Sequence, residues 1–329
     1  MSLTASLLEL PQSEARALLA SGVPVFLAIN PVEYHGPHLS LRNDALVTAG
    51  LVRDLHARLA KNHPDWPLVT AGELEIGVDP TPGIGSRHTT FPVACEVVRE
   101  ACRALHELGA KRVVLMTFHG APLHNLAIQA GVETLQTLGV RALAPFNLVL
   151  RELLHVESSQ YAEAFSHIED TEERAGMQRD LHLDFHGGFF ETSMTLHYAP
   201  QSVSSIYKSL PPCPAVAPNA AMLRAAGFAR SAGARTLAAE MKLAAFGMGW
   251  HALAPFPGYT GRPHRSSASA GAVFARHIVG RYDAIAEDVL AGRVESPRPI
   301  MAWMGPLTAR GLLSPKFPQA ETYVPQPHS

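Results

Sequence analysis

Two short apolar runs, PVFLAI at 24–29 and RVVLMTF at 112–118, constrain this 329-residue chain more than any other feature. A strand that is apolar on both faces must be covered on both, which is the situation of parallel strands flanked by helices. Around these runs apolar residues recur at helical spacing: Leu51, Val52, Leu55 and Leu59, then Val97, Ala101, Leu105 and Leu108, with Gly109 ending the second stripe. Asn43 or Asp44 is placed to cap the first of these helices. A further strand is expected at 68–74. The alternation continues through a helical stretch after Asn125 and the run VRALAPFNLVL, and it predicts a layered α/β protein with a mostly parallel central sheet.

Beyond this region the chain changes character. Residues 200–218 hold five prolines and read as a long connection, followed by an Ala-rich helical pattern to about Ala244. A last long helix is predicted over Ala268–Leu290, and the seven prolines from Pro297 onward predict an extended tail. The expected organisation is one α/β domain over 1–295, with a possible insertion or long connection near 199–244, and a Pro-rich tail over 296–329. There is no internal repeat of fixed period.

Composition excludes several classes. A net charge of -2 without a basic stripe argues against a nucleic-acid partner. The apolar stretch at 17–29 is broken by Ser21, Gly22 and Pro24 and is too short to span a bilayer, so no membrane segment is expected. The opening MSLTASLLELPQSEARALL lacks a basic start and carries acidic residues and Pro11 where a secretory apolar segment would continue. Cys95, Cys102 and Cys213 show no C-x-x-C spacing and read as reduced thiols, which fits a cytoplasmic protein. The unusual feature is 17 histidines, several beside carboxylates or glycines.

Glu33 and His35 are two apart just past the first apolar run, and side chains two apart in an extended segment point the same way. Both can reach one metal cluster. His119 follows the second run in the same manner. If the two strands are parallel, their carboxyl ends deliver metal-competent groups to one edge of the sheet, where open α/β sheets bind ligands.

Taken in order, Pro31-Val32-Glu33-Tyr34-His35-Gly36-Pro37-His38-Leu39, Asp44, His88 with Phe91-Pro92, Phe118-His119-Gly120 and His186-Gly187-Gly188-Phe189-Phe190-Glu191-Thr192-Ser193 resemble the creatininase family of amidohydrolases. Gly258-Tyr259-Thr260-Gly261-Arg262-Pro263 echoes that family's C-terminal Gly/Pro turn. The resemblance implies a three-layer α/β/α sandwich, assembly as a homo-oligomer such as a hexamer, and a site for two divalent metals (Zn, Mn or Fe). By position it makes Glu33 and His119 ligands of one ion, His35 a ligand of the other, Asp44 the bridge, and His186 the proton-shuttling histidine. A carboxylate suits the bridge because its two oxygens can join cations about 3.5–4 Å apart.

Departures from the family pattern matter equally. The segment Thr117-Phe118-His119-Gly120-Ala121-Pro122-Leu123-His124-Asn125 replaces the usual N-G-H-G-G-N or H-Y-E-N, and Ala121 stands where creatininases carry a glutamate ligand of the second ion. His124 and Glu191 are the candidates to replace it, and Glu191 is equally suited to orient a metal-bound imidazole. His38, His88 and His124 are candidate pocket residues, each with an alternative as a hydrogen-bonded structural histidine. Phe189, Phe190 and Met194 are expected in the core.

The functional expectation is a metal-dependent hydrolase acting on a small-molecule amide of the cyclic amide or formamide class. G-x-S-x-G, H-E-x-x-H and P-loop patterns are absent from the sequence, and GIGSRH at 83–88 lacks the third glycine of a dinucleotide fingerprint. The competing reading is a non-catalytic or ligand-sensing protein of the same fold with an altered metal site.

Overall fold

The computed structural model describes residues 4–313. Five strands, β1 (Thr4–Ser6), β2 (Pro24–Asn30), β3 (Leu68–Glu75), β4 (Arg112–Met116) and β5 (Arg141–Leu143), form one sheet in the order β1-β3-β2-β4-β5. All four pairings are parallel, with Leu27 opposite Leu115 and Ala28 opposite Met116 at its centre. The sheet is thus wholly rather than mostly parallel.

Both faces of the central strands are buried, as their continuous apolar runs require. On one face Phe26, Val114, Met116 and Leu143 pack with Val47, Leu51 and Leu55 of α2 (Asn43–Asn62). That layer also takes in α5 (Phe146–Leu153), α7 (Phe189–Tyr198) and α10 (Ala268–Leu290). On the other face Val25, Leu27, Ile29, Val113 and Leu115 meet Leu19 of α1 (Gln12–Ala20), Val98 and Cys102 of α3 (Phe91–Leu108), and Ile128 and Val132 of α4 (Pro122–Thr137). This is a three-layer α/β/α sandwich. Each fully buried Val, Leu or Ile contributes about 1.5–3 kcal/mol. The α3–α4 contact depends on Gly131, where a Cβ would meet Val98 Cγ1 at 2.6 Å.

Several local expectations are corrected. Strand β4 stops at Met116, before Thr117 and Phe118, because Phe118 N donates to the Asn30 side chain at 3.2 Å and leaves the ladder. Helix α4 begins at Pro122, ahead of Asn125, since proline is well suited to a first helical turn. The run VRALAPFNLVL is not one element: it divides into β5 and α5 at Ala144 and Pro145. Neither Asn43 nor Asp44 caps α2; both lie in its first turn with their side chains engaged elsewhere.

Past α7, 3₁₀ turns at Pro200–Ser202 and Ser205–Ser209 lead into the paired helices α8 (Ala220–Ser231) and α9 (Arg235–His251). The tail is not simply extended. Ile300 and Met301 are buried, one helical turn forms α11 (Met304–Leu307), and Trp303 Nε1 donates to Glu240 Oε2 at 2.8 Å. Pro306 is compatible with that turn, because the amides of a first turn have no helical acceptor. The rest of the expected tail, from residue 314, lies outside the described residues. Among the described residues, no helix is long and apolar enough to cross a membrane.

Candidate metal centre

Strand β2 connects outward to β3, whereas its other neighbour, β4, continues away toward β5. The chain therefore diverges at the carboxyl ends of β2 and β4, a crevice of the kind where open α/β sheets bind ligands. Glu33 and His35 follow β2, and His119 follows β4. Asn30, fully buried, ties the two strand ends together: its Oδ1 accepts from Thr48 Oγ1 at 3.0 Å, Thr117 Oγ1 at 3.3 Å and Phe118 N at 3.2 Å.

Asp44 enters the crevice from the first turn of α2. Its Oδ1 lies 3.1 Å from His35 Nε2, and its Oδ2 lies 3.5 Å from His119 Nδ1. Glu33 Oε2 is 2.8 Å from His119 Nδ1 and 3.9 Å from His35 Nε2, while Glu33 Oε1 accepts from Thr81 N at 2.5 Å. Glu191 comes from α7; its Oε2 accepts from Gly187 N at 2.7 Å and stands 3.6 Å from His35 Nε2. Three groups of potential ligand atoms result, Glu33–Asp44–His119, His35–Asp44–Glu191 and Glu33–His35–His186, and the first two share Asp44.

Both imidazoles are oriented by backbone. His35 Nδ1 donates to Glu33 O at 3.1 Å and His119 Nε2 donates to Val78 O at 3.1 Å, which leaves His35 Nε2 and His119 Nδ1 facing the carboxylates. Such outer hydrogen bonds fix the tautomer of a metal-binding histidine. Glu33 Oε2 and both Asp44 oxygens are buried and have no hydrogen-bond partner among the described residues, although imidazole nitrogens stand within ion-pair distance. Carboxylates and imidazoles that approach closely without aligning converge on a third point. Buried carboxylates require a cation or donors to offset desolvation, and this donor set of oxygens and imidazole nitrogens suits a divalent metal.

The electrostatics agree. Burial lowers the affinity of His35 and His119 for protons, but the facing carboxylates outweigh it, Asp44 foremost for His35 and Glu33 for His119, and raise them to about 10 and about 9. Glu33 is held well below the usual carboxylate range, since His119, His186 and His35 overcome its burial. Burial, aided by Asp44 and Glu33, pushes Glu191 up to about 8. This is a site where cations are stabilised and bare carboxylates are crowded.

His186 stacks on His35 with ring centroids 4.2 Å apart, and its Nε2 donates to Tyr34 O at 3.0 Å. Burial and the neighbouring His35 charge pull it down to about 3. The other expected residues are placed differently. His124 is buried 4.9 Å ring to ring from His119 and directs Nε2 to Ile29 O at 3.2 Å, and it joins none of the ligand groups. His38 bonds Thr192 Oγ1 at 2.8 Å beneath α7. His88 is exposed on the loop before α3, so it is not brought to the cluster. Asn125 donates to the carbonyls of His119 and Ala121 and shapes that loop. Phe189 and Met194 lie in the core, with Phe190 packed against it.

Sequence reasoning missed Asn30, Val78, Thr81, Asp184 and the pair Trp250–His251. Trp250 lies 5.1 Å from the His186 ring and donates from its indole to Tyr259 O at 3.0 Å. His251 is lowered to about 4, mainly by burial, with Glu33 acting against it. Asp184 stands two residues before His186, the one local signal that marked it. The remainder are long-range partners without a motif.

Among solved structures, the chain is similar to a creatinine amidohydrolase (creatininase), with a TM-score of 0.55, 18% identity, and coverage of 88% of this chain and 98% of that one. A manganese creatininase gives 0.53, 18%, 88% and 99%, and a mutant creatininase of Zn–Zn type gives 0.54, 18%, 88% and 99%. At such identity these establish the shared fold. No curated protein matches the chain. The family model for creatininase, creatinine amidohydrolase, matches residues 8–285, a span that includes every member of the buried cluster. With that pattern running through most of its length, the chain belongs to the creatininase family.

Proposed function

We propose that this protein is a metal-dependent amidohydrolase that cleaves a small non-peptide amide, of the cyclic amide or formamide class, with Glu33, Asp44 and His119 holding one divalent ion and His35, Asp44 and Glu191 the other. The observation that carries this reading is the sharing of Asp44 by two three-residue groups, one oxygen facing each imidazole. Glu191 fills the role left open by Ala121, and His124, which joins none of the ligand groups, does not. Relatives described as manganese and Zn–Zn forms support Mn or Zn as the ions.

Two divalent ions there would supply a Lewis acid for the amide carbonyl and a lowered pKa for water. The three carboxylates leave such a pair with one net positive charge, which favours a developing oxyanion. Glu33 and Asp44 hold their oxygens in place through the Thr81 amide and the first turn of α2. His186 keeps its Nε2 proton on Tyr34 O, so Nδ1 is the atom that takes a proton from water and returns it to the departing nitrogen. An amine leaves poorly unless it is protonated. Trp250 backs the His186 ring and restricts water on that side. The expected assembly is a homo-oligomer, the hexamer being the specific case to test by light scattering.

The test has two parts. Elemental analysis of protein purified with Mn or Zn is expected to find two ions per chain, and a screen of formamides, lactams and other compact amides is expected to find turnover that chelators abolish. Two tightly held ions with no hydrolysis of any of these would overturn the catalytic reading in favour of ligand sensing.

A further inference from the structure

The Asp184 carboxylate lies outside the ligand groups and is buried, with backbone amides as its donors. Its Oδ2 accepts from Phe189 N at 3.0 Å and its Oδ1 from Phe190 N at 3.2 Å, and the Arg262 amide also donates to it. Two glycines make room for it. A Cβ on Gly188 would meet Asp184 Oδ1 at 2.3 Å, and one on Gly261 would meet Asp184 Oδ2 at 1.9 Å. The same turn is stitched to residues 258–262 a second time, by Thr260 N donating to His186 O at 2.7 Å.

These contacts place Asp184 where it decides how α7 begins. The residue at the N-cap, Gly188, has no side chain to bond the first amides of the helix, and Asp184 serves them from four residues further back. Glu191 is the third residue of that helix. A slip of one residue at the helix start turns each side chain by about 100° and would carry Glu191 away from His35. His186 sits within the same loop, between Asp184 and the helix.

We propose that Asp184 is a positioning residue that sets the start of α7, and thereby places Glu191 for the second ion and His186 for proton transfer. This rests on the dinuclear reading above. Asp184 touches neither the ions nor the reacting atoms; it acts through the backbone of residues 186–191. Partners that orient metal ligands typically affect metal affinity by about 10–100-fold, and here the effect falls on one ion of the pair. The ion of Glu33, Asp44 and His119 is held by elements Asp184 does not touch.

The experiment compares the full-length parent, Asp184→Asn, Gly188→Ala and the distant core variant Val98→Ala, each titrated with Mn²⁺ and followed by elemental analysis and electron paramagnetic resonance. Gly188→Ala crowds the carboxylate, and also the Thr260 carbonyl at 2.4 Å, without changing charge, and φ is -89° there, so the substitution adds no left-handed strain; Asp184→Asn, which leaves Thr260 untouched, isolates the carboxylate itself. Both site variants are expected to bind the second Mn²⁺ about 10–100-fold more weakly and to show a mononuclear spectrum at concentrations that fill both sites of the parent. Val98→Ala is expected to lower Tm and keep the coupled pair. If the parent holds fewer than two ions, the dinuclear reading itself falls. If the parent holds two and both site variants bind the second ion with parental affinity, Asp184 has only a structural role and the inference is overturned.

Discussion

The imidazole rings of His35 and His186 lie face to face, 4.2 Å apart and 19° from parallel. One ring turns its Nε2 to the carboxylate cluster, and the other gives its Nε2 proton to the Tyr34 carbonyl. Burial first, and then the His35 charge, disfavours a proton on His186 and lowers it to about 3. The pair is thus arranged so that proton transfer at His186 depends on what His35 holds.

His186→Ala is accordingly expected to retain both ions and the fold while lowering kcat by roughly 10²–10⁴, the usual worth of positioned acid–base catalysis. KM is expected to change much less, because the carbonyl is still held by the ions. Steady-state kinetics on any amide the parent hydrolyses, with Tm and metal content measured alongside, decides the matter. A folded, metal-loaded variant with near-parental kcat removes His186 from the mechanism.

The shared carboxylate predicts a graded series. Asp44→Ala is expected to lose both ions, Glu191→Gln the one beside His35 alone, and His124→Ala neither. Elemental analysis after dialysis reads the three stoichiometries directly. Retention of two ions by Asp44→Ala would show that it is not the bridge, and loss of an ion by His124→Ala would return that residue to the ligand set.

Much of this centre was legible because its residues announce themselves locally. Glu33 and His35 are two apart in extended chain beside an apolar run, and His119 repeats the arrangement after the next one. Asp44 entered the site only through the family resemblance, and the structure places it beside His35 and His119 rather than as a helix cap. What escaped was held together across the chain: Asn30 bonds Phe118, 88 positions away, and the Trp250 indole lies against His186. Strand order escaped for a related reason, since parallel partners are joined by crossovers and leave no turn signature between them. His88 shares the family's ordered motifs yet ends on the surface: the amides of its neighbours Arg87 and Thr89 donate to Val32 O at 2.9 Å and Gly77 O at 2.7 Å, while His88 itself is exposed.

Creatinine is expected to be a poor substrate. The carboxylate that completes the second group comes from α7 rather than from the His119 loop, where Ala121 leaves a methyl group, so the walls around the ions differ from those of a creatininase carrying a glutamate there. Formamides and other compact amides are the better candidates. Efficient creatinine hydrolysis by the metal-loaded protein would refute this expectation.

Metal binding should release protons. In the metal-free protein His35 and His119 are raised to about 10 and about 9, chiefly by Asp44 and Glu33 acting against burial, so both carry protons at pH 7.5. Ligation requires neutral imidazole, and each ion therefore displaces a proton. Relative to an unfolded value near 6.5, these raised groups stabilise the metal-free fold, fully so below that value, and the contribution is lost as pH climbs through 9 and 10. The metal-free protein is thus expected to lose Tm between pH 7 and 10 while apparent metal affinity rises over the same interval. Titration calorimetry at pH 7.5 in buffers of different ionisation enthalpy measures the protons directly, with about one expected for the ion at His119 and between about one and two for the ion at His35, where Glu191, raised to about 8, is also largely protonated. A binding enthalpy independent of the buffer would show that the two imidazoles are already neutral and that the carboxylates facing them do not hold their protons.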